Sequence, residues 1–185
     1  MDCFEMLRRA LEERCPALEL REQEGMTRHT TFRLGGPVRL MALPKTREEA
    51  ICAVRTAWEM DMEPFILGNG SNLLVPDEGV ERFVVKLMDG LTGCRVGGET
   101  IYAESGLLLA RLANAALEHG LTGLEFAPGN PGTLGGAQVA EMHAGCVGNR
   151  GGATCGDVLR LVDGVRERVL KETGVELEME VKLLK

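Results

Sequence analysis

Long apolar runs are missing from this chain of 185 residues. None reaches the roughly 18 residues of a membrane-spanning helix, so no membrane partner is expected. A basic surplus is missing too: 21 Lys plus Arg stand against 28 Asp plus Glu, a formal charge of -7. Such a chain has little with which to neutralise a phosphate backbone, which argues against a general nucleic-acid binder. The six cysteines, at 3, 15, 52, 94, 146 and 155, include no C-x-x-C pair, and His29, His119 and His143 lie far apart. These spacings match no zinc template, so no metal site is expected. The thiols read as reduced cysteines of a cytoplasmic protein. The first ten residues, MDCFEMLRRA, carry acids and no apolar stretch, unlike a signal peptide. Internal repeats and low-complexity tracts are absent as well.

What is present is a globular composition. Hydrophobic residues make up 44% and charged residues 26%, enough for an interior and a wet surface. The length suits one domain or two small ones sharing a core. Phe4, Leu7 and Leu11 predict a short amphipathic helix over 3–13, ended by Pro16. Residues 21–29 read as a polar stretch, and 38–43 as a strand stopped by Pro44. Thr46 and Glu49 have capping-box spacing, opening a helix with Ala50, Val54, Ala57 and Trp58 on one stripe. Short apolar runs at 65–67, 73–75 and 83–85 read as strands, giving a β-α-β start. Residues 94–104 predict a hairpin turning at Gly97-Gly98. A helix follows over 108–119, with Leu109, Leu112, Ala113 and Ala116 on one face and Gly120 past its end. A last helix opens at Thr154, carries Val158, Leu161, Val162, Val165 and Val169 on a stripe and ends at Gly174. Residues 176–184 predict a terminal strand. The fold class is α+β.

The glycines, 24 in all, cluster in loops that could carry chemistry. Gly68-Asn69-Gly70-Ser71-Asn72 follows an apolar strand, where successive N–H groups can form an anion nest. It is either that nest or a plain strand-to-strand turn. It is not a Rossmann fingerprint, because no helix follows and the third glycine is missing. Gly129-Asn130-Pro131-Gly132-Thr133-Leu134-Gly135-Gly136-Ala137 is either a rigid ligand surface or a long turn. Glu178 and Glu180 could supply an acid or base, or form a solvated face. His143, beside Ala144-Gly145, is equally open.

Together these segments resemble one family. The series comprises His29-Thr30-Thr31-Phe32-Arg33-Leu34-Gly35-Gly36-Pro37, the stretches 67–75 and 123–137, Gly136-Ala137-Gln138-Val139, His143-Ala144-Gly145, residues 149–154 and residues 175–181. In this order they resemble the UDP-N-acetylenolpyruvoylglucosamine reductases (UDP-N-acetylmuramate dehydrogenases), flavoenzymes of bacterial peptidoglycan precursor synthesis. The resemblance implies an FAD-binding fold of the vanillyl-alcohol oxidase / p-cresol methylhydroxylase type, with a truncated substrate domain. It divides the chain into a first FAD-binding subdomain (1–87), a partial second one (88–137) and a remnant of the substrate domain with a C-terminal return segment (138–185). FAD, NADPH and a UDP-sugar substrate are implied. Gly68, Asn69, Gly70, Ser71 and Asn72 would hold the FAD pyrophosphate. Gly129, Pro131, Gly132, Thr133, Gly135 and Gly136 would border the pyrophosphate and isoalloxazine. NADPH would reduce the flavin, which would pass a hydride to the enolpyruvyl group. Glu180 matches the catalytic second acid of the family's Glu-Pro-Glu motif, with Met179 in place of the proline.

The departures are specific. The family's two Gly-Gly-Ala sites appear here as one, at Gly135-Gly136-Ala137, which implies an internal deletion joined across that repeat. The missing stretch would hold a Tyr-Arg motif with the substrate arginine and a Gly-Ser-x-Phe motif with the proton-donor serine. Ser71 and Ser105, the only serines, stand in neither context. Asn130 replaces the family's isoleucine in its Gly-Ile-Pro-Gly turn. Very weak or no reductase activity is therefore expected, and a non-catalytic flavin- or nucleotide-binding module is the alternative. Strands that pair with 94–104 would also be lost, and a homodimer that restores the sheet is the expected association.

Overall fold

A computed structural model describes residues 2–136 and 151–185. The expectations placed on residues 137–150, including His143-Ala144-Gly145 and the Gln138-Val139 segment, lie outside the described residues.

The chain opens with helix α1 (Cys3–Arg14), capped by the Asp2 side chain, which accepts from Phe4 N. Pro16 limits it, because the residue before a proline is pushed out of helical geometry. Strand β1 (Glu19–Gly25) comes next, where only a polar stretch was expected. Four of its seven residues are charged, so no apolar alternation announces it. Its main chain nevertheless pairs antiparallel along β2 (Pro37–Leu43) as a sheet edge, where charged side chains are tolerated.

Helix α2 (Arg47–Glu59) leads to β3 (Phe65–Leu67), followed by β4 (Leu73–Leu74) and β5 (Val80–Lys86). Strands β2, β5 and β3 run parallel, giving a four-stranded sheet in the order β1-β2-β5-β3. The expected β-α-β start is therefore β2-α2-β3, with β5 inserted between its two strands. The central strands are buried on both faces and read as nearly continuous apolar runs. Leu40, Ala42, Phe83 and Val85 pack under Leu7 and Leu11 of α1 and Ala53 and Ala57 of α2. Met41, Leu43 and Val84 face the opposite side, against Met26, Leu67, Leu73, Val75 and Leu184.

Two details of α2 differ from expectation. Its buried face is Ala53, Thr56 and Ala57, while Trp58 is 59% exposed. Thr46 caps Glu49 N, but the Glu49 carboxylate accepts from Lys45 N rather than closing the box on Thr46.

The hairpin β6 (Cys94–Gly97) and β7 (Thr100–Ala103) forms its own two-stranded sheet. Helix α3 (Leu109–Glu118) buries Leu109, Leu112, Ala113 and Ala116, the predicted face, and the first three share a small core with Leu107 and Ala127. Helix α4 (Cys155–Thr173) has a full Thr154–Asp157 capping box and ends on Gly174 at φ 73°. The terminal strand is shorter than expected. Only β8 (Lys182–Leu183) forms, because it pairs with the two-residue β4 and finds no longer edge. No helix among the described residues is long and apolar enough to cross a membrane.

Candidate functional site

The parallel strands β2, β5 and β3 deliver their following loops to one edge of the sheet, the edge at which open α/β sheets bind ligands. Residues 68–72 leave β3 there. Gly70 adopts φ 62°, a conformation that costs a side-chain-bearing residue free energy. Thr31 braces this turn: its N–H donates to Gly70 O (3.1 Å) and its Oγ1 to Ser71 O (3.3 Å). The main-chain N–H groups of Asn69, Gly70, Ser71 and Asn72 donate to no acceptor among the described residues. Four successive amides without an acceptor among the described residues, on a glycine turn, offer positive partial charge without side-chain bulk.

The second glycine-rich loop meets the first. Asn69 Nδ2 donates to Pro131 O at 2.5 Å. A Cβ on Gly68 would lie 2.2 Å from Thr133 Oγ1, so only glycine permits this approach. The second loop, expected as a rigid ligand surface or a long turn, offers fewer free amides than the first. The N–H groups of Asn130, Gly132, Leu134 and Gly135 already donate inside the protein, to Ala127 O, Asn130 Oδ1, Leu107 O and Ser105 O. Asn130, the departure from the family turn, thus closes its own turn with its side chain. What remains open in this loop is the Thr133 hydroxyl, which is buried and has no partner among the described residues. Gly129 is exposed, and Gly136 ends a 3-10 turn (Leu134–Gly136) that continues the loop.

The third element arrives from the C-terminus. Asn72 Nδ2 donates to Glu180 O (3.2 Å), and Lys182 N donates to Asn72 O (3.1 Å). Main-chain pairing therefore holds exposed Glu180 beside the first turn. Glu178 is exposed as well. Helix α4 is anchored nearby, its Cys155 N donating to both Asp77 carboxylate oxygens at 3.0 and 2.9 Å. Burial, followed by the negative charge of Asp77, pushes the Cys155 thiol up from its ordinary pKa.

Sequence reasoning missed a buried pair behind the first turn. Glu24 and His29 are each 7% exposed, and His29 Nε2 lies 2.8 Å from Glu24 Oε1. Burial alone would raise the Glu24 carboxyl, but His29, Arg21 and Arg28 outweigh it and hold it below the usual carboxylate range. The two stand five positions apart, and no periodicity links a strand end to a 3-10 turn, so no sequence signal marked them as a pair.

The donor set and the convergence of three segments fit a site for an anionic, flat ligand. Comparison with known proteins gives that geometry a lineage. Residues 129–184 match the family model described as UDP-N-acetylenolpyruvoylglucosamine reductase, C-terminal domain. The enzyme of that name from Caldanaerobacter subterraneus subsp. tengcongensis is 48% identical over 126 residues, 68% of this chain and 41% of the relative. This chain is a partial relative of the UDP-N-acetylenolpyruvoylglucosamine reductases. The Moorella thermoacetica reductase is 45% identical over 134 residues, 71% of this chain and 44% of the relative. The crystal structure of the Thermus caldophilus reductase is similar with 35% identity and a TM-score of 0.47, covering 65% of this chain and 40% of that one. The chain spans about two fifths of the length of the reductases it matches.

Proposed function

We propose that this chain is an FAD-binding protein of the reductase lineage, built for the step that reduces the enolpyruvyl group of UDP-N-acetylglucosamine enolpyruvate to UDP-N-acetylmuramate with NADPH. The observation that carries the reading is the run of four amides at residues 69–72 that meet no acceptor among the described residues, lying against the second glycine loop and the Glu180 segment. The amides of Asn69, Gly70, Ser71 and Asn72 bind the diphosphate, with Gly68 keeping the loops close. Residues 129–136 border it, and Thr133 offers a hydroxyl at the junction. Bound FAD supplies the hydride chemistry, and the protein supplies orientation and electrostatics. Glu180, fixed through its main chain by Asn72, is the acid that steadies charge developing on the substrate. The architecture is that of the vanillyl-alcohol oxidase / p-cresol methylhydroxylase type: a first FAD-binding subdomain over 1–87, a partial second over 88–137 and a substrate-domain remnant over 138–185. Its place of work is the cytoplasm, where its thiols stay reduced.

The deletion inferred at Gly135-Gly136-Ala137 sets the rate. Absence of a proton donor and of a charge-stabilising arginine costs roughly 10²-fold or more each. Ser71 and Ser105, the only serines, stand outside the proton-donor motif, and this favours a second reading in which the chain binds flavin without turnover. Hairpin β6–β7 pairs with no further strand among the described residues, and two copies associate through it. A clean monomer in light scattering would count against that association.

The test is a flavin titration of the purified protein followed by an NADPH reduction assay. Saturable uptake of one FAD per chain is expected, with substrate-dependent NADPH consumption at least about 10²-fold below ordinary enzyme rates. A colourless protein that takes up no flavin overturns the proposal. Turnover at ordinary rates overturns the predicted impairment.

A further inference from the structure

Behind the first glycine turn, the Glu24–His29 pair has no part in the chemistry proposed above. The pair is nine-tenths buried, and Arg21 and Arg28 each approach the same carboxylate to 3.3 Å. Charge held out of water is costly unless paired, so such a cluster persists where its geometry is needed. The other ring nitrogen of His29, Nδ1, is buried and meets no partner among the described residues. Here one nitrogen is bound to Glu24, near the end of β1, and the segment that leaves His29 packs directly against the turn. The His29 carbonyl oxygen lies 2.2 Å from where a Cβ on Gly70 would stand. Two residues on, Thr31 makes its two hydrogen bonds to Gly70 O and Ser71 O. Glu24, His29, Thr31 and the turn form one continuous series of contacts from the sheet edge to the unpaired amides.

We propose that the His29–Glu24 pair is a latch that holds residues 68–72 in their donor-presenting shape, which makes His29 a positioning residue for the flavin diphosphate. The flavin half of this proposal rests on the function proposed above, and the mechanical half does not. His29→Phe keeps the bulk and removes the link to Glu24. His29→Gln keeps an N–H donor within reach of Glu24. Leu11→Ala, in the core on the far face of the sheet, serves as the control for general loss of stability.

Two amides donate into the turn and report on it without flavin: Thr31 N to Gly70 O and Lys182 N to Asn72 O. In His29→Phe both are expected to exchange about tenfold faster than in the wild type, with α1 amides unchanged. The FAD dissociation constant is expected to rise by about the same factor, and His29→Gln to restore both readouts to within about twofold. The latch is overturned if Thr31 and Lys182 exchange no faster in His29→Phe than in the wild type or the Leu11→Ala control, or if His29→Gln behaves like His29→Phe. If His29→Phe does not fold, His29→Asn, too short to reach Glu24, takes its place with the same expectations. A wild type that takes up no FAD sinks the flavin assignment, while the exchange measurements still decide the latch.

Discussion

The four-stranded sheet and helix α4 answer the same kind of sequence pattern in opposite ways. In the sheet, strands β2 and β5 bury apolar side chains on both faces, and α1 and α2 close one of them. Helix α4 has a longer apolar stripe than either helix, yet only Cys155 and Val158 are buried. Leu161, Val165 and Leu170 are 51%, 49% and 49% exposed. The difference lies in what each element packs against, since periodicity creates an apolar face but only a neighbouring layer removes it from water. Capping, which is local, is as complete in α4 as anywhere in the chain.

The sharpest test of this contrast is a pair of truncations. Phe83→Ala, deep between α2 and the sheet, is expected to cost about 3–5 kcal/mol in urea unfolding. Leu161→Ala on α4 is expected to cost under about 0.5 kcal/mol. Comparable losses would mean that the α4 face is covered after all.

Two glycines divide the molecule in the same way with smaller effects. Gly68→Ala drives a methyl group into Thr133 Oγ1 and is expected to cost about 1–3 kcal/mol and to abolish flavin uptake. Gly164→Ala, inside α4 with nothing within 4 Å of the added methyl, is expected to stabilise by roughly 0.5–1 kcal/mol through helix propensity. Thermal melts of the two variants should move in opposite directions.

The finest difference is one of slope. The Glu24 carboxyl is held below its ordinary value in the folded protein, so its contribution is complete above the unfolded carboxylate value of about pH 4.3 and is lost as pH falls through the lower folded value. Glu24→Gln should therefore lower stability at pH 7 and flatten the acid limb below about pH 4.3. Parallel acid limbs for the wild type and Glu24→Gln would contradict the pairing.

Legibility followed the range of the forces involved. Helix α3 was readable to the residue because Leu109, Leu112, Ala113 and Ala116 repeat at helical spacing and all four are buried. The stripe of α2 was read too far round, toward Trp58, because hydrophobicity alone ranks tryptophan above Thr56 while the sheet accepts the smaller face. Strand β1 was not legible, since an edge strand of Glu, Arg and Gln is held by main-chain pairing to β2 rather than by side-chain pattern. At the candidate site, the glycine turns were visible as residues. The contacts Asn69–Pro131 and Asn72–Glu180, 62 and 108 positions apart, were not.

The amino-acid order alone determined where helices begin and end, which strands carry two apolar faces and which loops are glycine-built, because caps, periodicity and backbone freedom act over a few residues. Tertiary structure decided which apolar stripes are covered, which loop amides meet no acceptor among the described residues and that a buried carboxylate and imidazole stand behind the first turn. Those outcomes depend on distances between segments remote in the chain, and packing sets those distances.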